Sequence, residues 1–267
     1  MSEETERRST DVDYAKPLPQ EAIETGRYRQ RVGGEWETHG PRQLEYLIEQ
    51  GLRPEHRLLD VGCGALRGGI HFVEYLDSGN YYGVDINETL LDAGYERELT
   101  PELQGKLPRD HLRATERFDL EFGVPFDFAI AQSLFSHISL NQIRLCLFRL
   151  AKEMEPGGRF LSTWFVAPPE HPLDEPRDNG ACWTERNVFF YYYPDLTYAA
   201  RGMPWEMHYI GDWKHPRGQV MVEYRRVGAP PADEALPAQQ YDASPEKHQG
   251  PTLASRVERG LKRRLRR

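Results

Sequence analysis

The densest chemistry in the sequence is the run Leu58-Leu59-Asp60-Val61-Gly62-Cys63-Gly64-Ala65-Leu66-Arg67-Gly68-Gly69. Glycines at 62, 64, 68 and 69 weaken a helix that starts there, so their use lies in what they let approach. An apolar run that enters a glycine turn and then a helix brings bare main-chain N–H groups and a positive helix end up to a ligand. The dinucleotide fingerprint is G-x-G-x-x-G. Here the step from Gly64 to Gly68 is one residue too long, and no Lys-Ser or Lys-Thr follows as a phosphate loop requires. Asp60 would face a pyrophosphate unfavourably and suits a ligand that presents an ammonium or hydroxyl groups. Asp85 ends the next apolar run, and its carboxylate can accept from both hydroxyls of a ribose diol at once.

Holding these residues requires elements, and the periodicity supplies them. RLLDVGCG (57–64), YYGVDI (81–86), HLRATERF (111–118), FDFAIAQSLF (126–135) and RFLSTWFVA (159–167) read as strands. QLEYLIEQG (43–51), IHFVEYL (70–76), LLDAGYEREL (90–99) and NQIRLCLFRLAKEM (141–154) read as helices, the last one stopping at Pro156-Gly157-Gly158. Strand alternating with helix predicts βαβ units and a parallel sheet covered on both faces. WEMHYIG (205–211) and QVMVEYRRV (219–227), joined by DWKHPRG, predict an antiparallel hairpin at the end. The expected fold is α/β: a doubly wound, mostly parallel seven-stranded sheet with an antiparallel C-terminal hairpin.

Composition sets the outer limits. At 267 residues, 39% hydrophobic and 28% charged, the chain reads as an ordinary globular protein. No stretch approaches the ~18 uncharged apolar residues of a membrane span, and the acidic, polar start MSEETERRSTDVDY is not a secretory signal. Cys63, Cys146 and Cys182 lie far apart, which argues for a reducing compartment, with the cytoplasm as the expected location, and against a structural metal site. Residues 1–27 are polar and expected to be disordered, 28–228 form the main domain with an aromatic insertion at 168–204, and 229–250 read as a Pro/Ala-rich linker. The tail 251–267 carries seven Arg and Lys against Glu258 alone, a net +6, which leaves −14 of the total −8 on the remainder. An acidic body disfavours nucleic acid as a partner. In the tail Leu253, Val257, Leu261 and Leu265 share one helical stripe, which suits either a solvated helix or peripheral contact with anionic lipid at the inner face of a membrane.

In order along the chain, LLDVGCGALRGG, YYGVDIN, FDFAIAQSLFSHI and EPGGRFLSTWF resemble the successive motifs of class I S-adenosylmethionine-dependent methyltransferases, over roughly residues 42–227. The resemblance implies a Rossmann-like methyltransferase fold and S-adenosyl-L-methionine as cofactor. It implies that Gly62, Cys63, Gly64 and Gly68 approach the methionyl part, Asp60 orients its amino group, Asp85 holds the ribose and Ile86 flanks the adenine. Glu116, Phe118 and Asp119 compete for the place against the adenine amine, with Phe118-Asp119 favoured, and Gln132 and Ser133 would close the site over the sulfonium. An activated methyl needs positioning more than acid–base help, and a base matters only for an acceptor that holds its proton, such as an alcohol. His137, just past the fourth strand, is the candidate base, while His208 and His215 read as structural. Trp36 in a glycine-hinged lid (32–40), and Trp183, Tyr191 and Tyr193 in the insertion, are the candidate substrate contacts. The expected activity is methyl transfer to a small-molecule or glycan acceptor at oxygen. The alternative is a non-catalytic cofactor-binding module tethered by its basic tail.

Overall fold

In the computed structural model, residues 13–170 and 188–229 are described. Seven strands form one sheet in the order β3-β2-β1-β4-β5-β7-β6. They are β1 (Leu58–Val61), β2 (Tyr81–Asp85), β3 (Leu112–Ala114), β4 (Phe126–Ala131), β5 (Met154–Trp164), β6 (Trp205–Asp212) and β7 (Val220–Arg226). The pairs β1·β2, β1·β4, β2·β3 and β4·β5 are parallel, whereas β7 runs antiparallel to both β5 and β6. The helices are α1 (Gln20–Glu24), α2 (Tyr28–Arg31), α3 (Trp36–Glu49), α4 (Gly69–Tyr75), α5 (Glu88–Ala93), α6 (Pro101–Lys106), α7 (Leu140–Glu153) and α8 (Tyr193–Ala199).

The sheet separates two apolar layers. On one side Leu59, Phe126, Phe135, Leu147, Phe160, Trp164 and Tyr224 pack under α7 and α8. On the other, Leu47, Leu58, Phe72, Leu91 and Leu161 pack under α3, α4 and α5. β1 is buried at all four positions, as expected for a central parallel strand with both faces covered. α7 begins with a reciprocal cap, in which the Ser139 hydroxyl accepts from Gln142 N while the Gln142 side chain accepts from Ser139 N. The chain builds β2 and β3 outward on one side of β1, then crosses back to place β4 and β5 on the other side, and this reversal opens a crevice at the carboxyl ends of β1 and β4.

Four sequence expectations need correction. Disorder was expected through residue 27, yet residues 13–27 are ordered: Asn87 Nδ2 donates to the Tyr14 and Lys16 carbonyls (3.0 and 2.9 Å), and Leu18 N donates to Thr89 Oγ1 (3.0 Å). The lead-in 32–40 is not a free loop, since α3 starts at Trp36 and carries Pro41 inside it. Burial outweighs the Gly-Pro propensity there, because a Cβ on Gly40 would sit 2.5 Å from the Arg67 carbonyl oxygen. The third strand ends at Ala114 rather than 118, where the Thr115 hydroxyl accepts from Arg117 N and Asp119 N and turns the chain. β5 begins at Met154 and runs through Pro156-Gly157-Gly158, its pairing with β4 shifting between Phe126 and Phe128.

Candidate functional site

The glycine turn leaves β1 with Gly62 at φ +81° and Gly64 at φ +55°, left-handed backbone that a side chain would strain. The Gly62 and Cys63 amides both donate to Val84 O (2.7 and 3.0 Å), which ties the turn to β2. The Asp85 carboxylate reaches across from the end of β2: Oδ2 accepts from Gly64 N (2.9 Å) and Oδ1 from Asn87 N (2.9 Å). Two main-chain bonds thus fix its orientation, and each oxygen keeps a lone pair for a further donor. Ile86 follows at 38% exposure, an open apolar surface on the same rim.

Asp60 is buried, and its Oδ2 accepts from the Tyr81 hydroxyl at 3.0 Å. Burial raises its pKa to about 7, with the nearby Asp85 adding to the rise and Tyr81 and Arg67 opposing it. Cys63 is buried and contributes main chain only, since its sulfur lies against Gly83 and burial pushes the thiol pKa up. Gly68 sits at the start of α4, where a Cβ would meet Gln43 Oε1 at 2.7 Å. That contact gives Gly68 a packing reason of its own, against α3.

At the end of β4, Ser133 adopts φ +57°, donates its amide to Thr163 Oγ1 (2.7 Å) and places its hydroxyl 3.2 Å from Gln219 Oε1. Gln132 Nε2 lies 2.9 Å from His215 Nε2, which lies 3.1 Å from His39 Nε2. Both imidazoles are buried. Burial, with Arg67 and Arg217 alongside, lowers His39 to about 4 and His215 to about 3. The β7–β5 and β6–β7 pairings bring the turn between β6 and β7 to the same end of the sheet as the crevice. His215, read from sequence as structural, therefore sits beside Gln132.

His137 closes a short helical turn after β4, and its Nδ1 lies 3.2 Å from the Tyr14 hydroxyl. Residues 14–18 thus run from Asn87 and Thr89 at the β2 rim to His137 at the β4 rim, a strap that sequence reading missed. The side chains of Val32 and Leu134 also border the turn, 2.8 Å from a Cβ on Gly64 and 3.2 Å from one on Gly62.

Several expected contacts lie elsewhere. Asp119 pairs with Arg149 of α7 at 3.0 Å, which turns it away from an adenine role. Phe118, at φ +56°, packs against the core beneath α7. Trp36 is held on the N-terminal segment: its Nε1 donates to Arg29 O, the Arg29 guanidinium covers its ring at 4.7 Å, and it packs against the cluster of Tyr28, Ala65, Leu90 and Ala93. Tyr191 is a core residue, stacked edge-on with Trp164 and donating to Ile138 O. Tyr193 is half-exposed on α8 and meets Tyr209 of the edge strand β6. Trp183, the linker and the tail lie outside the described residues. Among the described residues, no group of three or more His, Cys, Asp or Glu side chains could hold a metal ion, and no helix is long and apolar enough to cross a membrane.

The sequence profile of a methyltransferase domain family matches residues 59–160, the span from β1 into β5. Solved structures share the fold. Magnesium protoporphyrin IX methyltransferase from Synechocystis PCC 6803, with bound SAM, is 15% identical and superposes over 80% of this chain and 85% of its own, with a TM-score of 0.51. An amino pentose methyltransferase from Micromonospora echinaspora, also SAM-bound, is 16% identical over 77% and 97%, with a TM-score of 0.54. A sugar N-methyltransferase from Streptoalloteichus sp is 17% identical over 76% and 92%, with a TM-score of 0.51. The profile spans less than half of the chain, and the structural likenesses, all under 20% identical, establish a fold shared with S-adenosylmethionine-dependent methyltransferases.

Proposed function

We propose that this protein transfers a methyl group from S-adenosyl-L-methionine to a small-molecule or glycan acceptor, at oxygen. The observation that carries the reading is the pair of carboxylates, Asp60 and Asp85, at the ends of adjacent strands on either side of the Gly62–Gly64 turn. Asp60 is the natural partner of an ammonium, because a buried carboxyl with no cation in ion-pair contact gains most from one. Asp85, oriented by Gly64 and Asn87, accepts from ribose hydroxyls, and Ile86 offers an apolar face for the base. Bound there, the cofactor supplies a methyl group already activated on a sulfonium.

The chain's own work is then placement, exclusion of water and, for a hydroxyl acceptor, uptake of one proton. Gln132 and Ser133 border the acceptor side. His137, held against Tyr14, is the imidazole assigned to proton uptake. Of the neighbouring folds, two are named for an amino pentose and a sugar and one for magnesium protoporphyrin IX, which supports a small-molecule acceptor, with a glycan among the choices.

Titration calorimetry with S-adenosylhomocysteine tests the cofactor site. Asp85→Ala is expected to weaken binding about tenfold or more, since a hydrogen bond to a charged group is worth ~1.5–3 kcal/mol and ~1.4 kcal/mol is tenfold. Unchanged affinity in that variant would remove the ribose assignment. Cofactor consumption against sugar and phenol panels, with His137→Ala as the control, tests the transfer. Tight binding with no turnover on any acceptor would favour the non-catalytic module instead.

A further inference from the structure

Around Gly33 and Gly34 the buried charges do not balance. The Arg67 side chain is only 9% exposed, and its guanidinium donates to Gly34 O at 2.8 Å. Among the described residues no carboxylate oxygen comes within the 4.0 Å of an ion pair with it. A guanidinium carries five N–H donors and cannot shed its charge near neutral pH, so a nearly buried one needs an anion. A second cation, Arg217, stands beside it with its side chain half-exposed. Arg217 donates to Gly33 O at 2.6 Å and has only the exposed Glu35, at 3.7 Å, as its counter-charge. A Cβ placed on Gly33 would lie 3.2 Å from Arg217 Nη1 and 3.4 Å from Arg67 Nη1, so both guanidinium groups converge on one point.

On the β4 side the neighbours add nitrogen rather than oxygen. Gln132 Nε2, His215 Nε2 and His39 Nε2 form a chain at 2.9 and 3.1 Å, and Arg67 is close enough to depress both imidazoles. Glu35 and Asp60 act favourably on Arg67, but neither is in ion-pair contact with it. Burial and the adjacent Arg217 outweigh those two carboxylates and lower the Arg67 pKa to about 10.

Resting on the methyltransferase reading, we infer that Arg67 and Arg217 form a binding site for a ligand carboxylate above the glycine turn. A planar guanidinium matches a carboxylate with two parallel N–H···O bonds. The carboxylate has two available sources: the amino-acid end of the cofactor, next to Asp60, or an anionic acceptor held beside Gln132.

Calorimetry on the full chain separates them, using S-adenosylhomocysteine, 5′-methylthioadenosine (the same nucleoside without the amino acid) and sodium benzoate. If the cofactor supplies the carboxylate, Arg67→Gln weakens S-adenosylhomocysteine at least tenfold and leaves methylthioadenosine within twofold. Arg67→Lys, with the charge but no fork, falls between. If the acceptor supplies it, Arg67→Gln leaves both nucleosides unchanged. Benzoate but not benzamide then binds the S-adenosylhomocysteine-saturated protein and loses that binding in Arg67→Gln and Arg217→Gln. Melting temperature guards against misfolding: removing an uncompensated buried cation is expected to raise it in the free protein. A lower melting temperature with both nucleosides weakened alike would assign Arg67 a structural role and overturn the proposal. So would variants that alter neither nucleoside nor benzoate binding. Should the wild-type chain bind neither nucleoside, the cofactor reading fails, while benzoate titrated into the free wild-type, Arg67→Gln and Arg217→Gln chains still decides the carboxylate site.

Discussion

With no ammonium beside it, a carboxyl group buried like Asp60 resists ionisation, and its pKa of about 7 measures that cost against the bond from Tyr81. Docking a cofactor ammonium favours the carboxylate and lowers that pKa, so binding at or below pH 7 must release a proton. At pH 6.5 the expected release is about half a proton or more, read as a difference in S-adenosylhomocysteine binding enthalpy between phosphate and Tris buffers. It shrinks towards pH 8.5 and disappears in Asp60→Asn. Enthalpies that do not depend on the buffer at pH 6.5 would show that Asp60 meets no cation. Asp60, Asp85, Gly62 and Gly64 were legible in the sequence because acids at strand ends and glycines in a turn carry their chemistry locally. Arg67, His39 and His215 were not. Their significance lies in long-range proximity, with His39 and His215 176 positions apart in sequence and 3.1 Å apart in space.

Asn87 joins two elements. As the N-cap of α5 its side-chain oxygen accepts from Thr89 N and Leu90 N, while its amide nitrogen holds the Tyr14 and Lys16 carbonyls. Losing such a cap costs ~1 kcal/mol, and losing the strap's hydrogen bonds a similar amount. Asn87→Ala is thus expected to lower the melting temperature by ~4–8 °C and to speed proteolysis near residues 13–18. Asn87→Asp keeps the capping oxygen but turns an anion on the two carbonyls, and is expected to free the strap while largely preserving α5. Equal protease resistance in both variants would show that the strap is held by something else. Most elements followed from periodicity, β1, β2, β4 and α7 most clearly. The start of α3 did not, because Gly40 and Pro41 oppose a helix locally and only packing on Arg67 and His71 makes one. Nor did the insertion aromatics declare themselves: Tyr191 and Tyr193 read alike, yet one is core and the other surface.

Across the whole molecule, pH acts through opposing groups. His39 and His215 are depressed to about 4 and about 3, so the unfolded chain binds protons more readily than the native one below the ordinary histidine range. The stability they support is present above about pH 6.5 and is lost as the pH falls from there towards 4. Arg67 and Arg217 sharpen the loss and Glu35 softens it. Asp60, with its raised pKa, acts in reverse, its contribution fading as the pH climbs through about 7. Melting temperature is therefore expected to fall on acidification from pH 7 to 5, and His39→Gln with His215→Gln should flatten that slope. An unchanged slope in the double variant would show that other groups govern acid unfolding.

The strap also has a mechanical meaning. Residues 14–18 are fastened at Asn87 and Thr89 on one rim and, through the Tyr14 hydroxyl, at His137 on the other, so the segment staples the turn after β2 to the turn after β4. Parting those two turns requires several hydrogen bonds to break together, a tie that the sheet itself does not supply.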